Sequence, residues 1–247
     1  IELPESVVVI GENAFSECRN LTSIKLSKNV ELIGIGAFSG CTGLTSMTVD
    51  EKNPIFDSRL DCNAIIETKS NKLISGCKKT KIPDSVTSIE SYAFSKCYSL
   101  TDLVIPNCVT SIKSYAFNEC TGLTSIEIPN SINYIESYVF YKCENLKSVV
   151  IPDSVTVIGY YAFSECKSLT NIEIPTSIDT IRDYAFEGCT SLTSIVIPIN
   201  VGYMGSYVFN NCTNLTVYCV APGKPDKWDD DWGGNVNKIV WYYKNSK

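Results

Sequence analysis

LTSIEIPNSINYIESYVFYKC (residues 123–143) is the stretch whose reading decides the fold. Its first part places Leu123, Ile126 and Ile128 as apolar residues, the last two separated by one polar residue. That is the two-residue period of a strand with one face buried. Pro129 follows and has no N–H for a ladder, so the strand ends there. Ile132 and Ile135 begin a return, and Val139, Phe140 and Cys143 close a coil. Working outward, the same letters recur every 23 residues. Phenylalanine falls at Phe94, Phe117, Phe140, Phe163, Phe186 and Phe209, each followed three places on by a cysteine, and Phe15/Cys18 and Phe38/Cys41 form a further pair at the same step. Prolines (Pro83 to Pro198) and leucines (Leu100 to Leu215) keep the same phase. A unit this short cannot bury its own apolar face. Stacked at about 4.8 Å on its neighbours, it yields a parallel sheet and continuous columns of equivalent side chains. The chain is therefore read as one mostly β solenoid rather than two domains.

Two segments break the period. Phe38 and Phe94 are 56 residues apart, so the coil at 49–83 is ten residues too long. Within it, Ala64-Ile65-Ile66 and Lys72-Leu73-Ile74 flank the polar Thr68–Asn71, which predicts a β-hairpin protruding from the solenoid, as a tolerated insertion or as a binding loop. After Leu215 the pattern is expected to stop. Residues 1–220 would then form the solenoid and 221–247, with Trp228, Trp232 and Trp241, a C-terminal cap with a last strand near Ile239–Tyr242. Ile1-Glu2-Leu3-Pro4 aligns with Ile172–Pro175, so the chain opens inside a strand and the natural protein is expected to continue upstream.

The motif L-x-x-I-x-I-P-x-x-V-x-x-I-x-x-x-A-F-x-x-C at this step closely resembles the BspA-like (Treponema pallidum-type) leucine-rich repeat family. The long coil, N-P-I-F-D-S-R-L-D-C-N-A-I-I-E, and the tail, W-D-D-D-W with V-W-Y-Y, are similar to the atypical repeat and cap of bacterial members. The resemblance implies a right-handed leucine-rich-repeat superhelix with a parallel sheet on one face and short strands, turns or 3-10 segments on the other. It also implies an extracellular or cell-surface protein that binds rather than catalyses, in adhesion to host or microbial proteins or glycans. It carries over no shared set of functional residues. A rigid spacer projecting another domain is the alternative role.

Composition narrows the chemistry. A net charge of −6 argues against nucleic acid, which needs clustered Lys and Arg. No apolar run approaches the roughly 20 residues of a membrane-spanning helix, so membrane insertion is not expected. The chain has no histidine, which removes the commonest general base and transition-metal ligand. No phosphate loop or metal cluster stands out, so no enzyme activity and no cofactor are expected, and the molecule is expected to be a monomer. The Asp229–Asn235 run lacks the order of an EF-hand loop and reads as an acidic loop.

Three columns remain as candidates. The cysteines Cys18, Cys41, Cys97, Cys120, Cys143, Cys166, Cys189 and Cys212 would stand about 4.8 Å apart with parallel Cβ vectors, too far for neighbours to bridge without distortion, so they read as packing. Cys62 and Cys77, both in the long coil, could pair, while Cys108 and Cys219 look like single substitutions. Tyr92, Tyr115, Tyr138, Tyr161, Tyr184 and Tyr207 each precede a phenylalanine by two places. They either stack along one flank with their hydroxyls in water or offer an aromatic platform to a sugar or partner. The outward strand positions form two rows on the sheet face, where solenoids usually bind. One runs Ser23, Ser46, Asp102, Ser125, Ser148, Asn171, Ser194, and the other Lys25, Thr48, Lys81, Val104, Glu127, Val150, Glu173, Val196. Lys25, Asp102, Val104, Glu127, Val150, Asn171, Glu173 and Val196 are the candidate contacts on this face, which is otherwise a solvated surface.

Overall fold

A computed structural model describes residues 1–244; the last three residues of the expected cap, 245–247, lie outside the described residues. The chain is a β-solenoid whose coils stack in the 23-residue register that the letters define. On the sheet face Ser125–Glu127 pairs parallel with Ser148–Val150, Ser125 opposite Ser148 and Ile126 opposite Val149. Ser148–Val150 then pairs with Asn171–Ile172. On the return face Tyr134–Ile135, Val157–Ile158, Thr180–Ile181 and Tyr203–Met204 form a second parallel ladder. Leu123, Ile126 and Ile128 point inward from the first ladder and Ile132 and Ile135 from the second, and all are buried. The only 3-10 segment among the described residues is Arg59–Asp61, in the long coil.

The third flank, which carries the Tyr-x-Phe-x-x-Cys block, is a ladder too, though it contains no regular strand. Phe140 N donates to Ala162 O at 2.9 Å, Lys142 N to Ser164 O at 2.8 Å and Tyr138 N to Tyr160 O at 2.9 Å. The amides can reach the next coil because two residues per coil adopt the left-handed conformation. One is the tyrosine, with φ between 54° at Tyr161 and 63° at Tyr115. The other lies four places on, at Glu17, Gly40, Lys96, Glu119, Lys142, Glu165, Gly188 and Asn211. The phenylalanines beneath stack with ring centroids 5.2–5.6 Å apart from Phe94 to Phe209.

Three features depart from expectation. The hairpin forms, Ala64–Glu67 against Lys72–Gly76, but it does not protrude. Lys72–Gly76 also pairs parallel with Ser88–Ile89, so the hairpin is built into the stack. Ala64, Ile65, Ile66 and Leu73 are fully buried. Cys62, Ala64, Ile66 and Leu73 belong to a core that runs on to Trp232, whereas Ile65, Phe56 and Cys77 belong to a separate core reaching back to Leu3. The hairpin is thus a wall with an apolar side toward each core. The physical reason lies in the run Ala64-Ile65-Ile66, which does not alternate and so has no face to give to water.

The sheet is also not continuous. Ser23–Leu26 pairs with Ser46–Val49, and Ser194–Ile197 with Thr216–Cys219 and then Lys238–Val240, but residues 102–105 join no strand ladder. Finally, the period does not stop at Leu215. Trp232, 23 residues after Phe209, packs edge-on against that ring at 6.1 Å, and Gly234 takes the next left-handed place after Asn211 with φ 58°. Trp228 bridges to Met204, and its indole N–H donates to Val201 O at 2.9 Å. Spacing survived where letters changed, which is why a search for identical residues lost it.

Candidate functional site

The cysteine column is a hydrogen-bonded ladder as well as a packed one. Cys166 Sγ donates to Phe140 O at 3.3 Å, Cys189 Sγ to Phe163 O at 3.2 Å and Cys212 Sγ to Phe186 O at 3.1 Å, with the same arrangement at Cys41, Cys120 and Cys143. Each thiol thereby ties its coil to the one before it. Burial pushes these thiols up, to about 12 at Cys143 and Cys212, which keeps them neutral and unreactive. Cys18, by contrast, is exposed and Cys97 only half-buried, so the column is not uniformly sealed. Cys62 and Cys77 are separate free thiols, donating to Ala64 O and Asn63 O. Cys219 occupies a buried strand position opposite Ile197, and Cys108 stands where other coils place a serine, such as Ser131, that bonds to the preceding coil.

The tyrosines form one stack from Tyr92 to Tyr207, with centroids 4.5–5.5 Å apart. Inside the row both faces of every ring are covered by neighbours, which leaves edges and hydroxyls at the surface. Burial and the adjoining phenols raise Tyr161 to about 12. A left-handed backbone at a non-glycine residue costs about 1–2 kcal/mol. Aromatic stacking at about 0.5–1.5 kcal/mol per pair offsets it, together with the ladder bond made by the same residue's amide. Sequence carried a signal for this backbone. The two earlier coils place Asn13 and Gly36 in the tyrosine position, the residue types that favour positive φ, and both adopt it.

On the sheet face, Asp102, Glu127, Asn171 and Glu173 are exposed, Val104 is 83% exposed and Val150 58%. Val196 is half-buried, and Lys25 is taken up by Glu2 at 2.7 Å, an ion pair that raises the lysine. The structure does not spread these residues evenly. Where residues 102–105 leave the ladder, the face opens into a cleft of about 720 Å³ lined by Asp84, Asp102, Val104, Asn107 and Glu127. Asp84 was not among the residues singled out from the sequence; the turn that carries it looked like every other post-proline turn. The cleft joins an exposed valine to three carboxylates without a lysine or arginine among its lining residues. In the terminal acidic run, Asp230 is paired with Lys224 and Asp231 accepts from the Tyr207 hydroxyl at 3.2 Å. Among the described residues no group of histidine, cysteine or acidic side chains converges as a metal site.

Together the stacked coils, the parallel sheet and the outward rows define a leucine-rich-repeat-type solenoid. The chain belongs to the family described as the BspA type leucine rich repeat region, whose profile matches residues 1–75, 61–167 and 133–222. Among solved structures, a leucine-rich repeat protein from Eubacterium ventriosum aligns with TM-score 0.82 at 23% identity over 96% of this chain and 64% of its own. The chain therefore spans less than two thirds of that protein. The leucine-rich repeat protein of T. pallidum aligns with TM-score 0.52 at 25% identity over 84% of this chain and 85% of its own. The pneumococcal vaccine antigen PcpA aligns with TM-score 0.60 at 19% identity over 97% of this chain and 67% of its own. No curated protein matches the chain.

Proposed function

We propose that the chain is a non-enzymatic binding module of an extracellular or cell-surface, adhesion-type protein, and that it takes a protein ligand on its sheet face. The observation that carries this reading is the cleft around Val104, where an exposed apolar residue sits among Asp84, Asp102 and Glu127. Apolar contact supplies affinity there, and the carboxylates select a basic segment through charge complementarity. Membership of a repeat family suited to binding or structural roles supports the reading, as does the absence of histidine. A glycan is the second ligand class for the same face, favoured by the hydroxyl and amide row Ser125, Ser148 and Asn171.

The test is a panel of host extracellular proteins and glycans probed with the intact chain and with a face variant, Asp102→Lys/Val104→Ser/Glu127→Lys. The expected result is at least a tenfold loss of affinity for a bound protein in the variant, with no loss in a control altered on the return face at Lys113 and Asn133. Equal binding by both variants would remove the sheet face from the reading. Absence of any ligand would leave the spacer role in its place.

A further inference from the structure

The tyrosine row has two ends, and they differ. Tyr207 donates its hydroxyl to Asp231 at 3.2 Å. Tyr92 has Tyr115 on one face at 4.8 Å and no ring on the other, because the preceding places in the row are Gly36 and Asn13. Between them the stack is interrupted by the end of the hairpin. In regular coils an alanine carbonyl of this flank accepts from the phenylalanine amide of the coil before, as Ala116 O does from Phe94 N at 2.8 Å. At the interruption Ala93 O accepts instead from Gly76 N at 2.9 Å, so a hairpin strand is wedged between two coils. The coils meet again four residues on, where Gly40 N reaches Ser95 O at 3.1 Å. The wedge leaves a cleft of about 200 Å³ beside Tyr92, lined also by Ile35, Gly36, Ile74, Ser75 and Glu90.

We propose that this cleft binds a single planar aromatic group, a phenol or indole, stacked on Tyr92 as one more rung of the row. Three observations converge on that class. Gly36 already holds the left-handed backbone of the row, φ 66°, yet contributes no ring, so the row's own geometry specifies what is missing. Two of the walls are apolar side chains, Ile35, 57% exposed, and Ile74, half-buried. Beside the hydroxyls of Ser75 and Ser91, the cleft offers a carboxylate to receive an N–H or O–H: Glu90, whose Oε1 accepts from Ser88 at 2.8 Å and whose other oxygen makes no further hydrogen bond among the described residues. The volume is below the roughly 300 Å³ at which ordinary ligand pockets begin, which suits one aromatic side chain of a bound polypeptide rather than an oligosaccharide.

The experiment is a fluorine NMR titration of 5-fluoroindole into the intact chain, with methyl glucoside and cyclohexanol as competitors. Saturable broadening is expected for the wild type, weakened at least tenfold in Tyr92→Leu and in Gly36→Tyr, and unchanged in Tyr207→Leu. Gly36→Tyr lets the chain fill its own gap. Its new Cβ would crowd the flexible end of Asn13 and meet Ser39 Cβ at ordinary contact distance, and tyrosine already adopts this backbone in six other coils, so the variant keeps the fold. Circular dichroism confirms folding of each variant. The proposal is overturned by no saturable binding to the wild type, by undiminished binding to folded Gly36→Tyr, or by displacement as effective with cyclohexanol or the glucoside as with unlabelled indole.

Discussion

At the scale of the residue, cysteine and tyrosine each serve two needs at one position. Every buried thiol of the 23-residue column fills a slot of its own size and donates to a phenylalanine carbonyl of an earlier coil, as at Cys166 and Cys189. The packing role was legible in the 23-residue phase. The hydrogen bond was not, because it depends on where the neighbouring carbonyl points. These groups make the protein sensitive to alkali. The folded state holds Cys41 protonated to about 11, and Cys143, Cys212 and Tyr161 to about 12. The unfolded chain gives up thiol protons nearer 9, so their contribution is intact below that pH and is lost as the pH climbs toward 12. Urea midpoints are therefore expected to hold steady from pH 7 to about 8.5 and to fall steeply above it. In parallel, a thiol reagent at pH 8 should modify Cys18 within minutes and reach Cys120 to Cys212 only on unfolding. Rapid native labelling of the column would contradict its burial.

At the scale of the element, the turn flank contains the least expected structure. Its strand-like bonding was invisible to a search for alternating apolar residues, because it is made by backbone in left-handed turns. Its tyrosines read either as a stack along one flank or as a platform for a partner, and the structure stacks them on one another. Tyr138, stacked on Tyr115 at 4.5 Å and Tyr161 at 4.8 Å, tests the energetics. Tyr138→Ala is expected to cost about 1–3 kcal/mol by urea unfolding, the loss of two stacked pairs. Tyr138→Phe keeps the rings and is expected to stay within about 0.5 kcal/mol. A large loss in Tyr138→Phe would place the stabilisation in the hydroxyls. On the sheet face the rows were legible from the two-residue period, but the opening at 102–105 was not. It follows from a break in pairing at residues 102–105.

At the scale of the whole molecule, the hairpin divides one solenoid into two cores. Adjacent residues on one strand serve opposite sides, Ile65 toward the core of Leu26 and Met47, Ile66 toward that of Phe94 and Phe117. Ile65→Ala and Ile66→Ala should each cost about 2–5 kcal/mol. Hydrogen exchange should then separate them, with protection reduced before the hairpin in the first and beyond it in the second. Identical exchange patterns in the two variants would mean that the array opens as one unit. The same hairpin bears on a hazard of any array of like parts. Coils that share their letters can dock one place out of step and still satisfy most of their contacts. The described residues hold a single wedge, and only one alignment lets Gly40 reach Ser95 and Glu17 meet Lys96 at 2.8 Å across it. It works as an index mark on an otherwise repetitive scale, so that a misaligned assembly is left with a gap it cannot close.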